Sequence, residues 1–391
     1  MTAVVESRVG RGWMAAYALA MVGVAAGWFG PIQILLPEQA ARLAGDDGKE
    51  ALLALVTAWG AGASMVANPL WGALSDRLRA RRPIFVAGTV IGVAGLLVLS
   101  SAETSSTMVA GWILVQVGLN GPLAALAALI GDRAPESQRG TVGALFGVAQ
   151  IIGVILGTAV AVAAGDQTIG YIAVAIAVPA LGAALLIIDR ESPVLERRRG
   201  RLRRPGGQFV WAWLIRFLLN LVNALVLVYL LYYLSDQVGV DDAAGWVLIL
   251  TVVNVLFAGI FGFVGGLLSD RWERRRIFAA AGAVVLAAGT TLMALAPAVP
   301  VVIVASVLVG VGWGAYIAVD MAILTQVLPD AETRATLLGV ANVAGTLPQM
   351  LAPVLAAPIV TVLGGYRVLY LVTAAIALVA LALLPRLRAI R

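Results

Sequence analysis

Residues 72–82 read Gly-Ala-Leu-Ser-Asp-Arg-Leu-Arg-Ala-Arg-Arg, and residues 266–276 read Gly-Leu-Leu-Ser-Asp-Arg-Trp-Glu-Arg-Arg-Arg. The copies begin 194 positions apart in a chain of 391 residues, about half its length. Each follows a long apolar run and precedes another. The repeat therefore places both copies on the same short connection in two copies of one larger unit.

Composition says what solvent those units face. The chain is 61% hydrophobic and 12% charged. A soluble protein can neither bury that much apolar surface nor leave it in water, so lipid is the expected solvent. Twelve apolar segments are long enough to cross a hydrocarbon core of ~30 Å. They cover roughly 12–36, 51–74, 83–101, 107–130, 141–164, 169–188, 210–234, 244–268, 277–296, 300–327, 335–362 and 366–385. Glycine and proline are frequent inside them, as suits membrane helices in close contact. The first run, from Trp13 to Leu36, follows a polar start with Arg8 and Arg11 and is too long for a signal-peptide core. It is expected to be a retained span.

Charge fixes the orientation. Of the 27 basic residues, only Arg42, Lys49 and Arg367 fall on the loops that also carry Asp46, Asp47, Glu50, Glu103, Asp166, Asp236, Asp241 and Asp242. By the positive-inside rule both termini are cytoplasmic and the protein is a multi-pass resident of the cytoplasmic (inner) membrane. The longest interior connection, 189–209, carries Arg197, Arg198, Arg199, Arg201, Arg203 and Arg204. It divides a six-span bundle (1–190) from a second (210–391), with 191–209 as a basic linker suited to anionic lipid headgroups. The expected fold is an all-α polytopic membrane protein of two pseudo-symmetric six-helix bundles. The net charge of +6 sits on alternate loops and so does not read as a nucleic-acid surface. The chain has no cysteine and no histidine, which excludes disulfides, thiolate chemistry, the usual zinc sites and a histidine proton relay. No Gly-x-x-x-x-Gly-Lys-Ser/Thr sequence is present, against ATP-driven pumping. No cofactor and no enzymatic role are expected.

Twelve spans, a central basic loop and a duplicated Gly-x-x-x-Asp-Arg-x-x-x-Arg-Arg after spans 2 and 8 resemble the major facilitator superfamily over the whole chain. The resemblance implies a monomeric carrier of a small molecule. Its central site, near the membrane midplane, would be exposed alternately by rocking of the two halves. It also implies a cytoplasmic gate. Gly72 and Gly266 would allow tight packing of neighbouring helices. Asp76 and Asp270 would cap helix N-termini of the opposite half, near Ala335 and Thr141. Arg77, Arg81, Arg271 and Arg275 would pair with acids or helix ends nearby. The plainer reading of the same residues is an orientation signal, although topology does not require the repeated aspartate. A narrower likeness joins residues 339–353, Gly-Val-Ala-Asn-Val-Ala-Gly-Thr-Leu-Pro-Gln-Met-Leu-Ala-Pro, with Asn68-Pro69 and Asn120-Gly-Pro122. These resemble the sucrose–proton symporter group and its bacterial relatives. That group's span-4 arginine and aspartate have no counterpart in Leu123–Leu129, which is Ala and Leu throughout. The Gly-Pro motif of span 5 in drug–proton antiporters is missing from residues 153–158.

Polar residues inside the spans identify the candidate site. Asp320 is the only carboxylate within the boundaries above and lies ~9 Å from the middle of span 10. A charge near the bilayer centre costs about 2.5–3.5 kcal/mol on insertion scales, so it needs protein or water around it and a partner. Arg216 lies at similar depth in span 7, and the two make a candidate ion pair. It reads either as a proton-coupling switch and substrate anchor or as a structural pair, with Arg216 alternatively snorkelling to the interface. Helical spacing puts Arg216, Asn220 and Asn223 on one face, as it does Trp313, Tyr316 and Asp320, then Asn342, Thr346 and Gln349, and then Gln116 and Asn120. Amides and hydroxyls beside aromatic rings suit a polar, uncharged solute such as a sugar, and serve equally as interhelical glue. The leading expectation is proton-coupled uptake of such a solute. Efflux of an amphipathic drug or natural product is the alternative, and a transporter-fold sensor without transport the second.

Overall fold

The computed structural model describes residues 8–78, 80–189, 206–327 and 331–388, and these are helical apart from short connections. Residues 8–189 form α1 (Arg11–Ala44), α2 (Lys49–Leu78), α3 (Arg82–Ser100), α4 (Ser105–Arg133), α5 (Glu136–Ala164) and α6 (Gln167–Ile188). Residues 206–388 form α7 (Gly207–Val228, continued by Leu230–Tyr232 and a π-turn at Tyr233–Val238), α8 (Ala243–Trp272) and α9 (Arg275–Leu295). They also form α10 (Val299–Gln326), α11 (Ala331–Pro358, continued by a π-turn at Ile359–Gly364) and α12 (Gly365–Leu383). Each helix, counting α11 and α12 together as one stretch, is long and apolar enough to cross a membrane. Compact units divide at Arg197 and Arg198. The linker arginines at 197–204 lie outside the described residues.

Several helices run further than the hydropathy of the sequence suggests. The pattern ends span 2 at 74 and span 8 at 268, whereas α2 continues to Leu78 and α8 to Trp272. The first seven residues of each repeated motif thus end one helix, and its last residues, Arg82 in the first copy and Arg275 and Arg276 in the second, already open the next. A cation in the last turn stabilises the negative end of the helix dipole, so a hydropathy limit falls short of the true end. Arg77, Arg133 and Arg271 all occupy such last turns.

The two units share one packing scheme, built on glycines that recur at the motif's own spacing. In the first unit α1 packs on α5 and α6, α4 on α2 and α3, and α3 on α6. In the second α7 packs on α11 and α12, α10 on α8 and α9, and α9 on α12. Gly88 and Gly118 join α3 to α4, and 194 positions on Gly282 and Gly312 join α9 to α10. A Cβ on Gly88 would stand 2.6 Å from the Gly118 carbonyl oxygen, and one on Gly282 would stand 2.7 Å from that of Gly312. Backbone approaches backbone at both places, and only glycine leaves room. At Gly72 and Gly266 a Cβ would meet no atom within 4 Å among the described residues.

Candidate functional site

The polar face of α7 packs against α10 and α11 inside the second unit. Arg216 donates from Nη1 to Oδ2 of Asp320, forming an ion pair in which each side chain is only 13% exposed. The other carboxylate oxygen, Oδ1, accepts the hydroxyl of Tyr316 at 2.6 Å. Tyr316 lies one turn before Asp320 on α10, and the (i, i+4) relation puts the two side chains on one face. Both oxygens of the acid are therefore held, one by a cation and one by a neutral donor. This partnering offsets the cost of placing charge within a membrane helix.

Arg216 is held less completely. Nη1 also approaches Sδ of Met321 at 3.8 Å, and the backbone oxygen of Arg216 accepts Nδ2 of Asn220 at 2.8 Å. Its Nε is buried without a hydrogen-bond partner among the described residues. That edge of the guanidinium faces α11, where a Cβ on Gly345 would stand 3.4 Å from Nη2, 3.8 Å from Nε and 4.0 Å from Oδ1 of Asn220. A buried donor left unpaired costs about 1–3 kcal/mol, so Arg216 keeps capacity for a further acceptor.

Aromatic rings border the pair. Trp313 and Tyr316 pack with centroids 5.7 Å apart. Trp213 and Phe217, one turn apart on α7 beside Arg216, stack at 5.5 Å and 11°. The indole of Trp213 donates to the backbone oxygen of Val340 on α11 at 2.9 Å. The sequence reading passed over Trp213, Phe217, Met321 and Gly345. The first two could have been found, since 213, 217 and 220 continue the stripe of Arg216. Met321 and Gly345 carry no local signal. Asn223 is half-buried and Gln349 exposed, while the side chains of Asn342 and Thr346 lie outside the described residues.

In the first unit Gln116 and Asn120 face α2. Asn120 donates from Nδ2 to Ser64 Oγ and to the Gln116 backbone oxygen, both at 2.7 Å, and accepts Nδ2 of Asn68 at 3.0 Å. Gln116 lies against Gly60. The Asn120 amide is thus occupied in fastening α2 to α4.

The motif arginines differ between the repeats. Arg81 donates from Nε to Asp132 at the end of α4 (2.8 Å) and from Nη1 to Ser75 (2.6 Å). Arg275, its counterpart, reaches the backbone oxygen of Ala322 in α10 at 3.4 Å. Gln326 stands where the first unit has Asp132, so the helix's own negative end takes the place of the carboxylate. Arg77 and Arg271 are exposed. The side chains of Asp76 and Asp270 lie outside the described residues.

Comparison with known proteins now adds to this geometry. The family model described as Major Facilitator Superfamily matches residues 17–211 and again 212–390, one match to each unit. The chain belongs to the Major Facilitator Superfamily. No curated protein matches it in sequence. Among solved structures it is similar to a POT family transporter in complex with a thioalcohol-conjugated peptide, at TM-score 0.77 and 14% identity over 96% of both chains. The nucleoside transporter NupG aligns at TM-score 0.77 and 12% identity, over 96% of this chain and all of that one. The human organic anion transporter MFSD10 (TETRAN) aligns at 0.67 and 17%, over 96% and 99%. At these identities the likeness establishes the fold. By family the chain is a multi-pass membrane protein of a transporter superfamily.

Proposed function

We propose that the protein is a secondary active transporter of a small polar organic solute, coupled to protons through Asp320 and working by alternating access. The observation that carries this reading is the Arg216–Asp320–Tyr316 cluster. It pairs one acid with one cation and one hydroxyl inside the membrane-spanning part of a chain that has no histidine. Intramembrane acids of this kind mark ion and proton pathways. If the ion pair opens, Asp320 takes a proton and Arg216 is released to meet a solute. If it closes, the proton leaves. Coupling is then competition between solute and Asp320 for one guanidinium, whose Nε has no partner among the described residues.

Half-buried Asn223 and the partly exposed rings of Trp313 and Trp213 supply polar and stacking contacts of the kind a sugar or nucleoside uses. The span-11 likeness to sucrose–proton symporters points to a sugar. The nucleoside and peptide carriers among the structural neighbours show polar organic solutes accommodated on this fold. Asn120 serves in this reading as a fastener. The stacked Trp213–Phe217 pair favours a second reading, efflux of an amphipathic compound, since such a solute would lie on that ring surface.

The experiment is flux in proteoliposomes with sucrose, uridine, a dipeptide and ethidium as probes, with and without an imposed pH gradient. Uptake down the proton gradient supports symport, and extrusion supports the second reading. Saturable flux of none of the four, indifferent to pH, overturns both.

A further inference from the structure

The unused edge of Arg216 selects the chemistry of the solute. Nη1 is taken by Asp320. Nε and Nη2, the donors of the adjoining edge, meet no hydrogen-bond acceptor among the described residues. A Cβ on Gly345 would stand 3.4 Å from Nη2, 3.8 Å from Nε and 4.0 Å from Oδ1 of Asn220. Nδ2 of Asn220 is spent on the Arg216 backbone oxygen at 2.8 Å, which leaves Oδ1 as an acceptor beside Gly345. Two donors and one acceptor thus converge where glycine leaves a gap the size of a methyl group. Nε and Nη2 of one guanidinium are spaced for the two oxygens of a carboxylate. An acceptor beside them suits a hydroxyl on the neighbouring carbon.

Charge makes the same selection. The side chains of Arg216 and Asp320 are each 13% exposed, and their charges sum to zero. The described residues bring two other ionisable groups to this place: Tyr316 on Oδ1 of Asp320, and Arg275 of α9 on the Ala322 oxygen, two residues further along α10. Arg271 of α8 is exposed, Tyr229, Tyr232 and Tyr233 follow the end of α7, and Tyr366, Arg367 and Tyr370 open α12. Asp236, Asp241, Asp242 and Glu273 lie on turns and connections. The side chains of Asp270, Glu332 and Arg334, near the ends of α8 and α11, lie outside the described residues. A neutral solute that drew Arg216 from Asp320 while the acid took a proton would leave the guanidinium without its anion inside the membrane, which is costly. A solute with one carboxylate avoids that. It brings one negative charge, Asp320 takes one proton, and the sum stays zero.

We propose that the solute is a small hydroxylated monocarboxylate carried electroneutrally with one proton, an inference that rests on the reading of the protein as a proton-coupled transporter. Its carboxylate would sit on Nε and Nη2 of Arg216, and the hydroxyl of the adjacent carbon would donate to Oδ1 of Asn220. Gly345 is then a specificity-determining position, because a side chain there would cover that edge. The gap at Gly345 holds a methyl group and no more in this structure. The solute therefore enters in a conformation with α11 drawn back from α7. Asn223 and the rings of Trp213 and Trp313 remain for its other hydroxyls and carbons.

The test compares D-gluconate with D-sorbitol, which has a hydroxymethyl group in place of the carboxylate, in proteoliposomes of the full-length protein. With acid outside, gluconate is expected to accumulate, and a membrane potential set with valinomycin should leave its rate unchanged, since no net charge moves. Sorbitol in large excess should not compete. Calorimetric titration in detergent, in buffers of different ionisation enthalpy, should show one proton taken up per gluconate bound. Asp320→Asn should bind gluconate at least as tightly and take up none. Gly345→Ala puts a methyl group against the edge at ordinary contact distance. Its melting should hold while the half-saturating gluconate concentration rises about 10-fold or more, the loss of one bond to a charged donor. Absence of gluconate uptake overturns the inference, and if sucrose or sorbitol then accumulates with the pH gradient, faster with the potential, proton-coupled transport stands without it. Gluconate uptake that responds to the potential, or unchanged affinity in Gly345→Ala, also overturns it. Saturable gluconate uptake indifferent to the pH gradient overturns the proton coupling itself.

Discussion

The cluster at Asp320 supports a quantitative prediction with two independent readouts. Removing one member of a buried ion pair leaves the other charge unpaired and costs about 3–5 kcal/mol. Both side chains here retain 13% exposure, and the Tyr316 hydroxyl still holds Oδ1 when Arg216 is removed. The low end, about 3 kcal/mol, is therefore expected for Arg216→Met and for Asp320→Asn alike. In the double variant neither charge remains, and the carboxamide that replaces the carboxylate can keep the bond to Tyr316. Its stability should return to within about 1 kcal/mol of the parent, an interaction energy above the ~0.5–3 kcal/mol usual for contacting residues. SDS-titrated unfolding of the four proteins in mixed micelles measures the cycle. Transport provides the second readout. Asp320→Asn should abolish accumulation against a gradient in proteoliposomes while leaving downhill exchange at least partly intact, because the solute site survives and the proton carrier does not. The double variant, stable again, should still fail to accumulate. That separates the roles, since a purely structural pair would regain transport together with stability. Accumulation by Asp320→Asn at the parent rate, or independent and additive stability losses, would refute the reasoning.

Other predictions are shorter. A reporter fused at Arg391 should be cytoplasmic and Asp241→Cys should react with an impermeant thiol reagent from outside; a protected position 241 would overturn the orientation read from charge. Gly118→Val and Gly282→Val should each destabilise by about 3 kcal/mol or more, since the opposing atoms are backbone that has no rotamer to change; Gly72→Ala and Gly266→Ala, facing open space, should shift thermal melting in detergent hardly at all. Arg81→Ala should weaken the first unit by about 1 kcal/mol, between an exposed and a buried pair, and exchanging the charges of Arg81 and Asp132 should restore part of the loss in the same unfolding assay. Asn120→Ala should lower stability while changing the solute's half-saturating concentration little; a large change in that constant with intact stability would return Asn120 to the solute site.

The membrane class, the count of twelve helices and the twofold repeat were legible in the sequence. Apolar runs of some 20 residues have few alternatives in lipid, where every backbone group must be bonded within its own helix. The duplicated Gly-x-x-x-Asp-Arg-x-x-x-Arg-Arg fixed the period at 194. Helical spacing and depth were enough to nominate Arg216 and Asp320 together, because a membrane charge must find a partner at its own level. Tertiary structure decided what each polar side chain faces. Asn120 and Asn220 look alike as amides on a helical stripe, yet Asn120 is tied to Ser64 and Asn68 of α2 while Asn220 lies beside Arg216 and Gly345. Gly88 and Gly282 repeat at the motif's spacing as plainly as Gly72 and Gly266 do, but among the described residues only the first pair meets another helix's backbone. Periodicity specifies a face along one helix. Which neighbour that face meets depends on packing between helices distant in sequence, and a single chain's local pattern does not encode it.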